Sequence, residues 1–202
     1  MTWVKSLGRL SVGQCGDPRG GRKSSVQPSS SARPDARLPL ERACATLCRL
    51  IRRFRSSDKA QVRALHELAL RGVGALIEGP AGEALDRDLD DVEASYIEVS
   101  GEFLVDDVDG RIVAMGALRP VGSGRAELKR MRVHPEWQRQ GRGRSMLDAL
   151  EQRARDLGFR RLSLDTTAQQ VAARSLYTST GYVQTGCGEL YGQAVILMEK
   201  AL

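Results

Sequence analysis

The sequence has few of the side chains that bind metal ions. It contains four cysteines and two histidines in 202 residues. Cys44 and Cys48 are four positions apart, which would place them on one helix face, but no second closely spaced pair accompanies them. A structural zinc site needs four such ligands at short spacings, and small secreted domains need a denser set of cysteines. We therefore expect no metal site and no disulfide framework.

Aromatic residues and long apolar runs are also scarce. Phe, Trp and Tyr make up 4% of the chain, and no apolar run approaches the ~18 residues of a membrane span. The formal net charge of +6 belongs mostly to residues 1–40, which hold seven basic and two acidic side chains and leave +1 for residues 41–202. A nearly neutral core with few aromatics argues against a nucleic-acid partner, and we expect no membrane segment.

Composition divides the chain into two regions. Residues 1–40 are rich in Ser, Gly, Pro and Arg, include the run Ser29–Ser31, and show almost no apolar periodicity. We expect a disordered basic tail there, followed by one domain over residues 41–202. An organellar transit peptide and a misassigned start codon are alternatives for the tail. A cytoplasmic location is the default expectation for the domain.

The first half of the domain is predicted to begin with a helix over Leu40–Leu50 and a strand over Ile51–Phe54. A helix capped at Asp58 or Ser57 should then bury Val62, Leu65, Leu68 and Ala69. A loop to Gly82 leads into an acidic helix over Glu83–Tyr96, whose aspartates we expect on a solvated face.

The second half is predicted to be a hairpin followed by alternating strands and helices. Asp109-Gly110 is a strong turn signal between strands at Glu102–Val108 and Arg111–Leu118. Later strands are expected at Ala126–Val133, Arg161–Thr166 and Ala194–Met198. One helix is expected between the first two of these strands, ending at Gly158, and another at Gln169–Thr178. The second helix should bury Val171, Ala172, Leu176 and Tyr177. The order β-α-α-β-β-β-α-β-α-β-β predicts a mixed α/β layer with helices packed on one central sheet.

The strongest functional signal is a glycine-rich turn between the strand predicted at Ala126–Val133 and the helix predicted after it. Gln138 to Arg144 read QRQGRGR and lead directly into the helix pattern. Backbone N–H groups at a helix start are unpaired, and the helix dipole and three arginines add positive charge, so the turn predicts a phosphate or diphosphate site. It is neither a P-loop nor a dinucleotide fingerprint, because the Lys-Ser/Thr and the third Gly are missing. A plain surface turn is the alternative.

From about Ile51 to its end, the chain resembles the GNAT superfamily of N-acetyltransferases. Gln138-x-x-Gly141-x-Gly143 is similar to the family's (Arg/Gln)-x-x-Gly-x-(Gly/Ala) acyl-CoA loop. Ala173, Leu176-Tyr177 and Gly181-Tyr182 resemble its second motif, in which Gln170 replaces the usual Asn and Tyr182 replaces Phe. The resemblance implies the GNAT fold, an α/β arrangement with a central mixed sheet of about six or seven strands flanked by about four helices.

The resemblance also implies acetyl-CoA as the acyl donor. The diphosphate would lie on the backbone N–H groups of the loop, contributed by Arg139, Gln140, Gly141, Arg142, Gly143 and Arg144. The pantetheine arm would pair with Met131, Arg132 and Val133, and Gln170 stands where a side-chain contact to that arm is expected. Such pairing requires two parallel strands to splay, which a bulge near Lys129–Met131 would permit. A backbone N–H there would polarise the thioester carbonyl.

Acetyl transfer needs a base for the amine and an acid for the departing thiolate. Tyr177 matches the family tyrosine and is our candidate acid. Glu127, acting through water, is the first candidate base and Asp165 is the second. No cysteine lies in these motifs, so we expect direct attack in a ternary complex rather than an acyl-enzyme.

The expected activity is therefore transfer of an acetyl group from acetyl-CoA to a primary amine. The alternative is a non-catalytic acyl-CoA-binding or regulatory module on the same fold, because a fold alone does not fix the chemistry. The acceptor amine is open between a small molecule and a peptide or protein, and a homodimer is an open assembly state.

Overall fold

The computed structural model describes residues 49–190 and 192–202. The predicted tail over residues 1–40 and residues 40–48 of the first predicted helix lie outside them. Arg49 and Leu50 already belong to strand β1 (Arg49–Arg53), so the prediction of a helix extending to Leu50 is wrong at its end. The strand predicted from Ile51 is confirmed and begins two residues earlier.

The elements follow the predicted order. The strands are β1, β2 (Glu102–Val108), β3 (Arg111–Gly122), β4 (Arg125–Val133), β5 (Arg161–Thr167), β6 (Val183–Leu190) and β7 (Gln193–Ala201). The helices are α1 (Lys59–Arg71), α2 (Gly79–Asp86), α3 (Arg142–Asp156) and α4 (Val171–Ser179). Short 3-10 turns cover Ser56–Asp58, Arg87–Leu89 and Pro135–Trp137, and a π-helical turn covers Glu93–Ile97. None of the helices in the described residues is both long enough and apolar enough to span a bilayer.

The strands form one mixed sheet in the order β1-β2-β3-β4-β5-β7-β6. Its hairpin turn has Asp109 at φ 52° and Gly110 at φ 83°, the left-handed pair that a two-residue turn between twisted strands requires. Among the described strands, the only parallel neighbours are β4 and β5, and they pair over just three residues, from Arg125↔Arg161 to Glu127↔Ser163. Beyond Glu127 the two strands diverge, as the family resemblance implied.

A bulge in β4 lies where these strands separate. Met115 pairs with Arg132 and Ala117 pairs with Lys129, so β4 has one residue more than β3 in this interval. Arg130 takes the left-handed φ of 55°, which is uncommon outside glycine. The bulge expected near Lys129–Met131 is confirmed, and it changes which later side chains of β4 face each side of the sheet.

The two faces of the sheet carry separate cores. Leu104, Ala114, Leu118 and residues of α3 such as Met146 and Leu150 form one, and Phe103, Val105 and residues of α1 such as Val62 form the other. Alternation along β2 therefore buries side chains on both faces, as in strands covered by helices on each side.

Several predicted burial patterns are wrong. Leu68 of α1 is 39% exposed, whereas His66 is fully buried beside the second core. Val171 is 66% exposed and Ala172 is exposed as well, because only the later residues of α4, including Leu176 and Tyr177, pack on the first core. Helical spacing finds an apolar stripe but does not find where the surface beneath it ends.

The acidic segment after Gly82 also differs from its prediction. Instead of one helix over Glu83–Tyr96, the chain forms the end of α2, a 3-10 turn and a π-helical turn. Asp86 and Asp88 are not on a solvated face, because both form ion pairs with Arg130 in the β4 bulge. These two ion pairs therefore hold the segment against the sheet.

Candidate active site

A cavity of about 150 Å³ opens where β4 and β5 diverge. Its walls come from β4, β5, α4, the end of α1 with the following loop, α2, and the β6–β7 pair. Leu70, Ala75, Ile77 and Leu85 give it an apolar side. Polar side chains line much of the remainder, namely Asp86, Lys129, Arg130, Arg132, Asp165, Thr166, Thr167, Gln170, Tyr177 and Gln193.

The glycine-rich loop leads to an α3 N-terminus with free backbone donors. Arg139 has φ 58° and Gly141, the N-cap residue, has φ 77°, and this left-handed pair turns the chain into the helix. No side chain caps α3. Within the part of the chain that the structure describes, the N–H groups of Arg142, Gly143 and Arg144 have no acceptor. Such a group of donors at the positive end of a helix dipole suits an anion.

The arginine side chains of this loop are not all available to an anion, which corrects the sequence-based view. Arg142 Nη1 donates to Asp106 Oδ2 at 2.9 Å, and both residues are buried. The Arg142 guanidinium also lies 4.3 Å from the centre of the Trp137 ring. Arg144 pairs with Asp148 one helical turn later. The backbone N–H groups of the loop are thus more available to a ligand than the side chains of Arg142 and Arg144.

The edge of β4 that faces β5 is open at Met131–Val133, where the sequence predicted pairing with the pantetheine arm. Its carbonyls are reached by two side chains: Arg132 Nη1 donates to Met131 O at 2.8 Å, and Gln138 Nε2 donates to Val133 O at 3.2 Å. The opposite edge is occupied by β3 and continues with His134 N donating to Val113 O. His134 Nδ1 also accepts a hydrogen bond from Glu136 N in the turn that follows β4.

Tyr177 projects from α4 into the cavity and is 5% exposed. Burial raises the pKa of its hydroxyl well above 10.0, the nearby Arg132 charge partly offsets this rise, and Asp165 adds to it. The hydroxyl therefore carries its proton at neutral pH. Its ring lies 5.5 Å from that of Tyr182, which fixes the orientation of Tyr177 through tilted ring packing.

The two candidate bases occupy different places. Asp165 on β5 lines the cavity together with Tyr177. Glu127 on β4 is 5% exposed and lies at the last residue where β4 and β5 still pair. Arg119 Nη2 donates to Glu127 Oε2 at 2.7 Å, and Lys129 Nζ is 3.5 Å from Glu127 Oε1. Lys129 lines the cavity, so Glu127 contacts a wall residue.

Gln170 also lies on the cavity wall, at the N-cap position of α4. Its side chain does not cap the helix but accepts a hydrogen bond from Thr166 Oγ1 at 2.9 Å. The structure therefore brings Gln170, Asp165, Tyr177, Met131 and Arg132 together around one space, whereas Val133 and the residues of the glycine-rich loop do not line it.

Sequence reasoning missed the charged network at the β4 bulge. Arg130 Nη1 contacts Asp86 Oδ1 at 2.7 Å, its other nitrogens contact Asp88 and Leu85 O, and Tyr96 donates to Asp88. The buried His66 Nε2 lies 3.0 Å from Asp86 Oδ2. Burial, and secondarily the charges of Arg132 and Arg130, lower the pKa of His66, so the imidazole is neutral at neutral pH. The paired Asp86 and Asp88 were a signal in the sequence, but their partner was not identifiable from spacing.

Over residues 49–190 and 192–202, no cluster of His, Cys, Asp and Glu has the composition and proximity to hold a metal ion.

Comparison with known proteins extends these observations. Residues 70–182 match the model of the Acetyltransferase (GNAT) family. The chain is 34% identical over 109 residues to N-acetyltransferase family 8 member 2 of Rattus norvegicus, covering 52% of this chain and 48% of that one. It is 37% identical over 112 residues to an amino-acid acetyltransferase of Pseudomonas aeruginosa, covering 53% of this chain and 25% of that one. The matches thus span half or less of these relatives.

Among solved structures, the chain resembles PaiA N-acetyltransferase from Thermoplasma acidophilum in complex with coenzyme A. The TM-score is 0.62 at 18% identity, covering 76% of this chain and 99% of that one. This likeness concerns the fold.

Proposed function

Since the chain belongs to the acetyltransferase (GNAT) family, we propose that it transfers the acetyl group of acetyl-CoA to a primary amine. The observation that carries the proposal is the cavity at the divergence of β4 and β5, together with the start of α3, where Gly143 lies next to Val133 at the end of β4. A diphosphate on the free N–H groups of α3 would lead the pantetheine arm along the open edge of β4 towards Tyr177.

The proposed reaction forms a C–N bond and breaks a C–S bond. The neutral amine attacks the thioester carbonyl carbon, and a backbone N–H of the β4 bulge stabilises the negative oxygen. The amine gives its proton through water to a carboxylate, and the departing sulfur takes the proton of the Tyr177 hydroxyl. The raised pKa of Tyr177 suits this role because the proton is present at the pH of the reaction.

Asp165 and Glu127 remain the two candidates for the proton acceptor. Asp165 has the more direct position, because it lines the cavity with Tyr177. Glu127 would act through water, and its ion pair with Arg119 would have to persist or rearrange during proton uptake. The pH dependence of kcat in Asp165→Asn and Glu127→Gln separates them, because only loss of the base removes the acidic limb of the profile.

The names of the two relatives support an amine acceptor, and one of them names an amino acid as its substrate class. We propose a small amine that enters the cavity from its apolar side. The cytoplasmic location and the homodimer stay predictions from the sequence.

A screen of primary amines with acetyl-CoA, read by release of free thiol and by mass of the product, tests this function. We expect thiol release that depends on the amine and falls by roughly 10²-fold or more in Tyr177→Phe. Tight binding of acetyl-CoA without product from any amine would instead indicate the non-catalytic acyl-CoA-binding module. Failure to bind CoA would refute both.

A further inference from the structure

Arg132 is the most unusual side chain of the cavity wall. It follows the β4 bulge, and its neighbours Met131 and Val133 pack against the first core. Because side chains alternate along a strand, Arg132 faces the opposite side and lines the cavity. Without the extra bulge residue, the same alternation would send this arginine towards α3.

The guanidinium of Arg132 has fewer hydrogen-bond and ion-pair partners than the guanidinium of the nearby Arg130. Its Nη1 group donates to Met131 O, but its buried Nε has no hydrogen-bond partner. In the part of the chain described by the structure, no carboxylate lies within ion-pair distance of Arg132, whereas Arg130 pairs with Asp86 and Asp88. A buried donor without an acceptor costs about 1–3 kcal/mol, more when charged, so a fold rarely keeps one without a ligand.

The electrostatics agree with this geometry. Burial lowers the pKa of Arg132 to about 10, and the like charge of Arg130 contributes to the same shift. The carboxylates of Asp86 and Asp165 act in the opposite direction but do not offset the effect of burial. An anion in the cavity would relieve both the charge and the unpaired Nε.

The arrangement of the remaining N–H donors of Arg132 indicates which kind of anion this side chain would bind. With Nη1 already engaged, the remaining edge consists of Nε and Nη2, two roughly parallel donors that match the two oxygens of a carboxylate. Tyr177 and Asp165, the proposed proton donor and one proposed acceptor, line the same cavity. A carboxylate held on Arg132 would thus place an adjacent amine beside the groups that handle its proton.

We propose that Arg132 binds the carboxylate of the acceptor, and that the acceptor is an amino acid or a derivative with a free carboxylate. This proposal rests on the acetyl transfer proposed above and deepens it. The apolar residues Leu70, Ala75 and Ile77 on the cavity wall would then face the side chain of the acceptor.

The test compares each L-amino acid with its carboxamide, in which the carboxylate is replaced by a neutral group. Leucine and leucinamide are the first pair because of the apolar wall. Binding to the CoA-loaded protein is measured by calorimetry, and turnover with acetyl-CoA is measured by thiol release. We expect the best acid to exceed its amide by at least 10-fold in affinity and in kcat/KM, as expected for a charge-assisted pair.

In Arg132→Met this acid-to-amide ratio should fall to about 1, while Arg132→Lys, which keeps the charge but loses the fork, should retain part of it. Arg63→Met, an exposed arginine paired with Asp90, is the matched control and should keep the full ratio. Calorimetry of CoA alone checks that the donor site is intact in each variant.

The outcomes separate this inference from the proposed function. Equal binding of acids and amides by the wild type, or an undiminished ratio in Arg132→Met, refutes the carboxylate site. A loss of CoA affinity in Arg132→Met with an unchanged acid-to-amide ratio would show that Arg132 serves the donor instead. A carboxylate preference in binding that vanishes in Arg132→Met, without thiol release from any pair, would support the site and refute the transferase.

Discussion

At the residue scale, the environment of Tyr177 decides what its hydroxyl can do. Burial keeps the proton on the oxygen, and packing against Tyr182 limits the motion of the ring. The hydroxyl therefore holds its proton at the pH of the reaction, and in the proposed mechanism it passes that proton to the sulfur as the C–S bond breaks.

We expect Tyr177→Phe to lower kcat by roughly 10²-fold or more, the size expected for a lost general acid, with little change in CoA affinity. Steady-state thiol release and calorimetry with CoA measure the two quantities. Tyr182→Phe is the matched control, because this second tyrosine is buried nearby but does not line the cavity. Equal losses in both variants would show that the ring cluster, and not the Tyr177 hydroxyl, supports turnover.

At the scale of elements, the loop before α3 uses glycine in two different ways. Gly141 has a positive φ and open space around its missing side chain, so a substitution would strain the backbone and project into the solvent where a ligand would approach. A Cβ at Gly143 would lie 3.6 Å from Leu176 and Val133, an ordinary contact. The protein itself therefore requires glycine at 141 but accommodates alanine at 143.

Gly141→Val should weaken CoA binding at least 10-fold, because a branched side chain would occupy the approach to the free N–H groups. Gly158→Val is the control, since Gly158 has a similar φ of 82°, also with open space, at the far end of α3. Both variants should lose about 1–2 kcal/mol of stability from backbone strain, but only Gly141→Val should lose CoA affinity in calorimetry. Equal CoA affinity in the two variants would remove the loop from the donor site.

The β4 bulge is a second feature at this scale, because it is held by an ion cluster from another element. Arg130 is clamped by Asp86 at the end of α2 and by Asp88 in the turn after it. The left-handed backbone of Arg130 is disfavoured by itself, so these contacts stabilise the conformation that opens β4 towards the cavity.

Arg130→Met should lower the free energy of unfolding by about 3–5 kcal/mol, because two mostly buried carboxylates would lose their counter-charge. Arg63→Met removes an exposed arginine–aspartate pair and should cost less than about 1 kcal/mol. Urea unfolding of both variants gives the comparison. A similarly small cost for Arg130→Met would mean that the carboxylates find other partners and that the cluster does not stabilise the bulge.

At the scale of the whole molecule, this cluster makes stability depend on pH. Burial by itself would raise the pKa of Asp86, but the hydrogen bond and charge of His66 and the charge of Arg130 hold it at about 2, below its ordinary 3.8. A carboxyl with a depressed pKa stabilises the fold above its ordinary pKa and loses that contribution as pH falls through the folded value. The lowered pKa of His66 acts in the same direction below about pH 6.5, because the unfolded chain binds that proton more readily.

The free energy of unfolding should therefore decline on acidification below pH 6.5, with about 2 kcal/mol lost from Asp86 between pH 4 and 2. Urea titrations at closely spaced pH values measure this slope. Asp86→Asn should be less stable at pH 7 but show a flatter decline below pH 4. Asp90→Asn, an exposed aspartate of the following turn, should keep the original slope. A slope that Asp86→Asn leaves unchanged would contradict the assignment.

The sequence predicts features that depend on neighbouring residues better than features that depend on contacts between distant segments. The hairpin at Asp109-Gly110, the glycine-rich turn before α3 and the strand and helix order depend on neighbouring residues, and the sequence predicted them correctly. The bulge and the splayed strands were expected because the family resemblance implied them. The prediction that Leu68 and Val171 are buried was wrong, because spacing within a helix does not show how far the surface that the helix packs on extends.

The side chains of the candidate site show where sequence reasoning stops. Arg139, Arg142 and Arg144 are equivalent on paper, but Arg142 turns inward because Asp106, on a strand 36 positions earlier, lies beneath it. Asp88 and Arg130 are 42 positions apart and meet only because α2 folds over the bulge. The sequence by itself determined the order of elements and the glycine-rich turn before α3, whose causes are local. Only the tertiary structure decided which charges are neutralised and that Arg132 lines the cavity without an ion-pair partner among the described residues, because those depend on contacts between distant segments.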